Sequence, residues 1–270
     1  MGLEAARYMD REKKKIVLAG RTLSKLNKAV AQLENEGIEA YGHVCDTSDR
    51  ESIRSLAEYA KQLGCVKNVI HAAGLSPAMA LPEQLLRVNS LGTVYVNQEF
   101  SKVMDKGSVI VDIASNSAYV LPRFLIREKV YQLAESNEEQ FMQKCLKLSN
   151  LARGDYEKSG LAYAISKNFT IWYAKKSAFI LGEKGIRVVS LSPGLIATDM
   201  GNLEAEEGKA MLKYGAQERM GTAQELGFAI ASVADERNGY LSGVDVLCDG
   251  GCTTGKHFKN YSDRKRGKKK

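Results

Sequence analysis

The sequence lacks several features that define other classes of protein. No apolar run approaches the ~18 residues of a membrane-spanning helix, and the N-terminus has no basic segment followed by an apolar core, as a secretory signal would. The five cysteines are odd in number and scattered along the chain, which argues against a disulfide framework. These absences predict a cytoplasmic protein in a reducing compartment.

Most of the chain also lacks net charge. The formal charge is +7, but residues 256–270 hold eight Lys or Arg and one Asp, so the other 255 residues sum to zero. We predict that 256–270 is a basic, disordered tail; contact with nucleic acid or an anionic surface is the less favoured alternative. Cys248, Cys252 and His257 match no usual zinc spacing, so no metal site is predicted.

Short apolar runs bounded by turn residues recur along the 270 residues. Because these runs are continuous rather than alternating, they indicate strands that are buried on both faces of a parallel sheet. Segments with helical spacing lie between them, so we predict one doubly wound α/β domain over residues 1–255. The predicted strands lie within 15–20, 37–46, 66–74, 107–115, 185–194 and 242–251.

Residues 116–160 interrupt this alternation. Ser136 and Glu139 have the spacing of a capping box, and Phe141 and Cys145 lie along one stripe of the helix that would follow. We predict a helical insertion between a strand and the next long helix.

The segment YAISK, Tyr163 to Lys167, opens a predicted helix that runs to about Leu181. Residues four apart lie on one helical face, and an ammonium near a phenol favours the phenolate. Such a tyrosine can exchange a proton with an alcohol or a carbonyl oxygen near neutral pH. The same pattern recurs at Tyr261 to Lys265 in the tail, so the pattern alone does not identify an active site.

Its context does. The first copy follows a predicted strand that ends VDIAS and precedes one that ends SPG, and ligands bind at the carboxyl ends of such strands. Over residues 2–255 the chain resembles the short-chain dehydrogenases/reductases, a family with a Rossmann-like fold. The resemblance rests on six motifs in order: HAAG (71–74), Asn89 in RVNSLG, Ser115 in VDIAS, YAISK (163–167), SPGLIATD (192–199) and DGG (249–251).

The resemblance implies four catalytic residues. Tyr163 would be the general acid/base, Ser115 would hydrogen-bond the substrate oxygen, and Lys167 would bind the nicotinamide ribose and lower the pKa of the tyrosine. Asn89 would hold a water molecule that links Lys167 to solvent. Taken singly, Ser115 and Asn89 would more often be structural polar residues, and their joint order with Tyr163 favours the functional interpretation.

The resemblance also implies a nicotinamide cofactor. After the strand KIVLAG, Gly20, Arg21 and Thr22 stand where an acidic residue would bind both ribose hydroxyls, and a guanidinium beside a hydroxyl can hold a 2′-phosphate. NADP(H) is therefore preferred, with NAD(H) as the alternative. Asp46 matches an adenine-contacting aspartate, although it would equally serve as a helix cap. The other predicted cofactor-binding residues are Gly2, Ala73, Gly74, Tyr163, Lys167, Pro193, Gly194 and Thr198.

Two departures from the family pattern shape the prediction. Ser115 and Tyr163 are unusually far apart, because the insertion lies between them. Some hydroxysteroid dehydrogenases and carbonyl reductases of the family carry an insertion at this place. A bulky, steroid-like alcohol is therefore one hypothesis for the substrate.

The second departure is at the N-terminus. The first strand and two glycines of the phosphate-binding turn are absent from the sequence, and Gly2 fits the third glycine. We therefore expect an N-terminally truncated sheet, with unpaired facing edges on the strands at 15–20 and 66–74, and a start codon assigned too late.

Together these observations predict an NAD(P)(H)-dependent enzyme that interconverts a secondary alcohol and a ketone. The alternative is a catalytically silent, dinucleotide-binding interaction protein. The resemblance further implies a homodimer or homotetramer, often built on the helices that contain Asn89 and Tyr163. Residues 75–82, 116–160 and 199–220 are expected to form the substrate walls.

Overall fold

Parallel strands form the centre of the molecule. A computed structural model describes residues 1–9, 14–125, 128–203, 208 and 211–258. Its strands are β1 (Ile16–Gly20), β2 (Ala40–Val44), β3 (Val66–His71), β4 (Met104–Ile113), β5 (Arg187–Pro193), β6 (Ile196–Ala197), β7 (Gly221–Thr222) and β8 (Asp245–Cys248). β1 pairs with β2, β6 pairs with β7, and four strands form a sheet in the order β3-β4-β5-β8. All of these pairings are parallel, as predicted.

Helices cover both faces of these sheets. They are α1 (Gly2–Tyr8), α2 (Leu23–Asn35), α3 (Arg50–Leu63), α4 (Pro82–Leu86), α5 (Gly92–Phe100), α6 (Glu128–Tyr131), α7 (Leu133–Ser136), α8 (Glu138–Ser149), α9 (Asp155–Gly182), α10 (Asp199–Leu203) and α11 (Ala223–Ala234). A large apolar cluster joins α3, α4, α5, α8 and α9 on one face, and a second joins α1 and α11 on the other. The predicted Rossmann-like α/β fold is therefore confirmed.

The boundaries of three elements differ from the prediction. β4 begins at Met104, ahead of the apolar run, and α9 begins at Asp155 rather than at Tyr163. The cap of α8 is Asn137, whose side chain accepts a hydrogen bond from Gln140 N; the predicted Ser136 is the last residue of α7. Residues 252–258 are helical, and the rest of the predicted tail lies outside the described residues.

The sheet is divided between β1 and β3. Within the described part of the chain β1 pairs with β2 alone, and the ladder of β3 is formed with β4. No residue of β1 is fully buried, whereas every residue of β5 is, because β5 has a neighbour on each side. Within the described residues, the parallel strands therefore form separate ladders rather than one continuous sheet.

The helical insertion is confirmed and packs against the body of the domain. Its residues Phe141 and Cys145 are fully buried, and the Phe141 ring lies 5.1 Å from that of Phe169 on α9. Two carboxylates hold α7 and α8 in place. Glu138 accepts a hydrogen bond from Tyr95 Oη at 2.6 Å, and Glu135 accepts one from Tyr173 Oη at 2.8 Å.

This packing bears on the predicted subunit interface. No residue of α5 is exposed, and none of residues 158–174 of α9 is exposed, because the insertion and α3 cover them within one chain. These parts of α5 and α9 are therefore packed within one chain, whereas Phe179 and Ile180 near the end of α9 are exposed. A homodimer or homotetramer stays a prediction.

Among the described helices, none combines the length and apolar character needed to cross a membrane.

A close helix contact places α1 beside the sheet. A Cβ atom on Gly227 of α11 would lie 2.5 Å from Glu4 Cβ and 2.7 Å from the Glu4 carbonyl carbon, so the two backbones touch at this glycine. We expect Gly227→Ala to force the helices apart and to lower the free energy of unfolding by about 1–3 kcal/mol.

Gly182→Ala is the matched control. Its added methyl group meets no atom within 4 Å, and alanine favours the helix, so stability should hold or rise by up to about 1 kcal/mol. Chemical denaturation of both variants measures the difference, and equal stabilities would contradict the close contact.

Candidate functional site

A cavity of about 450 Å³ opens at the carboxyl end of the four-stranded sheet. Ser115, Tyr163 and Lys167 line it together, although they are separated in the sequence by the whole insertion. Residues from all three segments predicted to form the substrate walls, 75–82, 116–160 and 199–220, also line the cavity. They include Leu75, Pro77, Asn116, Val120, Tyr156, Met200, Met211, Leu212 and Arg219.

Ser115 lies just beyond the end of β4. The backbone N–H of Ala114 donates to Leu191 O at 2.8 Å, which ties this end of the chain to β5. Ser115 Oγ accepts a hydrogen bond from Ser117 N at 3.2 Å and caps the short helix that follows. The hydroxyl proton remains available to a second acceptor, so this serine can hold its cap and still donate to a ligand oxygen.

Tyr163 and Lys167 occupy one face of α9. Lys167 Nζ lies 5.8 Å from the centre of the Tyr163 ring and donates to Ile113 O at 2.8 Å. The lysine side chain is buried, and burial lowers its pKa to about 8, an effect that the carboxylate of Asp112 opposes. A cation therefore lies beside the phenol at neutral pH, as the spacing of the two residues predicts.

Asn89 lies behind the cavity rather than in its wall, within a π-helical turn over Arg87–Leu91. Its Oδ1 accepts from Leu75 N at 2.9 Å, and its Nδ2 donates to Leu75 O at 3.0 Å and to Ser166 Oγ at 3.2 Å. The side chain thus anchors the chain beyond β3 to α9. Its backbone O accepts a hydrogen bond from Thr93 Oγ1 at 2.7 Å.

Half of the predicted cofactor-binding residues meet in this cavity: Gly74, Tyr163, Lys167, Pro193, Gly194 and Thr198. A Cβ on Gly194 would lie 2.8 Å from Asp249 Cα, so only glycine allows the ends of β5 and β8 to approach this closely. A Cβ on Gly74 would lie 3.3 Å from Lys167 Nζ. A buried ammonium, a threonine hydroxyl and closely approaching backbone suit the polar amide and ribose of a nicotinamide nucleotide.

The remaining predicted cofactor residues lie outside the lining: Gly2, Gly20, Arg21, Thr22, Asp46 and Ala73. The position where a Cβ would stand on Gly2 is 3.3 Å from Ala72 Cβ, and the neighbouring Met1 lines the cavity. Gly20, Arg21 and Thr22 follow β1, across the division of the sheet.

Asp46 is close to Arg21 but does not cap α3. The cap is Asp49, which accepts from Glu51 N, whereas Asp46 Oδ1 accepts from Ser48 N at 2.9 Å and from Ser48 Oγ at 2.7 Å. Burial raises the pKa of Asp46, but the Ser48 hydrogen bonds and the charge of Arg21 outweigh that effect and lower the pKa overall. The capping alternative for Asp46 is therefore wrong.

Several lining residues were not predicted as site residues. Glu225 caps α11 together with Thr222, and it accepts two hydrogen bonds from Arg219 at 2.6 and 2.9 Å. Both charged residues line the cavity, as does Cys252. The T-x-x-E spacing of Thr222 and Glu225 is a capping-box signal that marks the start of a helix, but it does not show that these residues reach the cavity.

A Rossmann-like sheet that carries a half-buried Tyr and a buried Lys on one helical face, at the carboxyl ends of its strands, defines a class of nicotinamide-dependent oxidoreductases. The short chain dehydrogenase family model matches residues 1–125, and a model described as enoyl-(acyl carrier protein) reductase matches residues 129–253. The chain therefore belongs to the short-chain dehydrogenase/reductase family and is an NAD(P)-dependent oxidoreductase.

Relatives are similar over most of their lengths. A short-chain dehydrogenase/reductase of Alternaria brassicicola is 26% identical over 88% of this chain and 87% of its own. The 7alpha-hydroxysteroid dehydrogenase of Bacteroides fragilis is 25% identical over 94% of this chain and 90% of its own. A short chain dehydrogenase from Burkholderia cenocepacia, solved in complex with NADP, has the same fold: the TM-score is 0.73 at 19% identity, covering 93% of each chain.

We expect Asn89→Ala to destabilise the protein, because it leaves the buried N–H and C=O of Leu75 without their side-chain partner. Each unsatisfied group costs about 1–3 kcal/mol. Asn150→Ala, at the exposed end of α8, removes the same amide group and should change stability by less than about 0.5 kcal/mol. Thermal unfolding compares the two variants, and equal melting temperatures would contradict the anchoring role.

Proposed function

We propose that the protein interconverts a secondary alcohol and a ketone on a bulky, largely apolar substrate and prefers NADP(H). The observation that carries this proposal is the joint presence of Ser115, Tyr163 and the buried Lys167 in one cavity whose walls are mostly apolar. The geometry favours an enzyme over a silent binding protein, because a buried cation is costly to folding, and a cation beside a tyrosine hydroxyl is the arrangement that proton transfer by that hydroxyl requires.

Each residue has a distinct part in the reaction. Ser115 Oγ–H donates to the substrate oxygen and orients it toward Tyr163. In ketone reduction the Tyr163 hydroxyl gives its proton to that oxygen, and in alcohol oxidation the phenolate takes it back. Lys167 stabilises the phenolate by its charge. The bound nicotinamide nucleotide supplies or accepts the hydride.

The apolar walls support the substrate class. Leu75, Val120, Leu195, Met200 and Leu212 line the cavity. The cavity of about 450 Å³ has to hold both the substrate and the nicotinamide end of the cofactor, so its apolar lining, rather than its volume, supports a steroid-like alcohol. The named activity of the Bacteroides fragilis relative agrees with this choice.

The first experiment tests the catalytic residue. Tyr163→Phe removes the proton donor and keeps the ring, so turnover of ketones with NADPH should fall at least about 100-fold while the fold is retained. The control is Tyr240→Phe, at a fully exposed tyrosine, which should keep full activity.

The assay panel contains steroid ketones and small polar ketoses, and reduction is followed by NADPH absorbance. Turnover of the small ketoses alone would contradict the substrate class. NADPH binding by the wild type without turnover of any ketone would instead favour the silent protein.

The second experiment tests cofactor choice. We expect Arg21→Ala to weaken NADPH binding by about tenfold and to leave NADH binding unchanged, because the guanidinium would contact only the 2′-phosphate. Lys25→Ala removes one exposed positive charge from the neighbouring helix and should change neither affinity. Fluorescence titration with both nucleotides measures the affinities, and an equal loss for NADPH and NADH would overturn the preference.

A further inference from the structure

A buried carboxylate lies beneath the candidate site. His71 and Asp112 are register partners on β3 and β4, and the His71 Nδ1 atom lies 3.2 Å from Asp112 Oδ1. Asn97 on α5 donates to the other carboxylate oxygen at 3.0 Å and to Ser177 Oγ of α9 at 3.2 Å. The exposed fraction of Asp112 is 0%, that of Asn97 is 2% and that of His71 is 5%.

Folding alone does not account for this group. A buried carboxylate is costly even when it is hydrogen-bonded, and apolar residues of similar volume often serve stability as well or better. The cluster is also incompletely satisfied, since His71 Nε2 and Asn97 Oδ1 have no hydrogen-bond partner among the residues that the structure describes. Such a costly arrangement in a core points to a purpose beyond packing.

The next residue on β4 connects the Asp112 carboxylate to Lys167. Ile113, directly after Asp112, offers the carbonyl that accepts the Lys167 hydrogen bond at 2.8 Å. Within the described part of the chain, no carboxylate lies within salt-bridge distance of Lys167 Nζ, so its charge is not neutralised by direct contact. Charges interact over longer distances where water is excluded, and both residues are buried.

The other charged or titratable groups around Lys167 come from several elements. Tyr163 precedes it on α9, His71 lies beside Asp112 on β3, and Tyr119 lies on the short helix after Ser115. Across the cavity are Asp249 after β8 and the paired Arg219 and Glu225. Of the carboxylates among them, Asp112 is the one that acts on the pKa of Lys167 against the effect of burial.

We propose that Asp112 is a positioning residue of the candidate site, whose buried carboxylate supplies the negative charge that keeps Lys167 in its ammonium form beside Tyr163. His71 and Asn97 hold that carboxylate in place. The proposal rests on the proposed function for its catalytic meaning, but the charge relation itself is a property of the protein without ligands.

The test measures the titration of Lys167 directly. Protein labelled with ¹³C at lysine Cε is titrated by NMR, and the Lys167 signal is assigned by its absence from Lys167→Met. In the wild type the midpoint should lie near pH 8. Asp112→Asn removes the negative charge with little change of shape, which disfavours the ammonium, so the midpoint should fall by about one pH unit or more.

His71→Asn is the matched control. It disturbs the same cluster but retains the carboxylate, so the Lys167 midpoint should stay within a few tenths of that of the wild type. Asp112→Ser is a second neutral variant in case Asp112→Asn does not fold.

The outcomes separate the two proposals. An unchanged midpoint in a folded neutral variant overturns the role of Asp112, and so does an equal shift in His71→Asn. A wild-type midpoint below pH 7 overturns it without any variant. The expected shift together with an absence of turnover in the wild type would leave the charge relation intact and contradict only the proposed function.

In an active enzyme, Asp112→Asn should also move the alkaline limb of the kcat/KM profile to lower pH by the same amount.

Discussion

The buried ammonium of Lys167 is the constraint on which the candidate site depends. Among the described residues, Lys167 Nζ donates one hydrogen bond, to the carbonyl of Ile113 at the end of β4. For this bond to form, α9 must lie across the sheet with Tyr163 one turn before the lysine, and β4 must end where Ser115 enters the cavity. This hydrogen bond thus links the helix that carries Tyr163 to the strand that ends before Ser115, and the apolar packing of α9 keeps water away from it.

The division of the sheet is the second physical feature that the site has to accommodate. The cavity that Tyr163 and Lys167 line belongs to the four-stranded sheet, whereas Arg21 and Asp46 follow the strands of the β1-β2 pair. α1 lies at this division, since Met1 lines the cavity and the helix packs on α11 through Gly227. Under the proposed cofactor placement, a dinucleotide would span both parts, and its affinity would depend on how firmly the β1-β2 pair is held.

Much of this architecture could be predicted because local signals agree with the fold. Continuous apolar runs mark strands buried on both faces, and Tyr163 and Lys167 are four residues apart on one helix. The start of α9 was missed because residues 155–162 have no distinctive pattern, and the docking of α8 on α5 and α9 was missed because it depends on contacts between distant residues. Glu138 and Tyr95, for example, are 43 positions apart. The sequence placed Asp112 in an apolar strand but gave no sign of its buried partner, because His71 lies on a different strand.

Transfer of deuterium from the nicotinamide ring to a ketone tests whether the cavity with Tyr163 and Lys167 is the active site of a ketone reductase. The protein would be incubated with NADPH deuterated at C4 on either face and with a steroid ketone, and the product analysed by mass spectrometry. We expect one of the two deuterated cofactors to deliver its deuterium to the carbinol carbon, and Tyr163→Phe to abolish the transfer. An alcohol product without deuterium from either cofactor, or an undiminished transfer in Tyr163→Phe, would contradict this assignment.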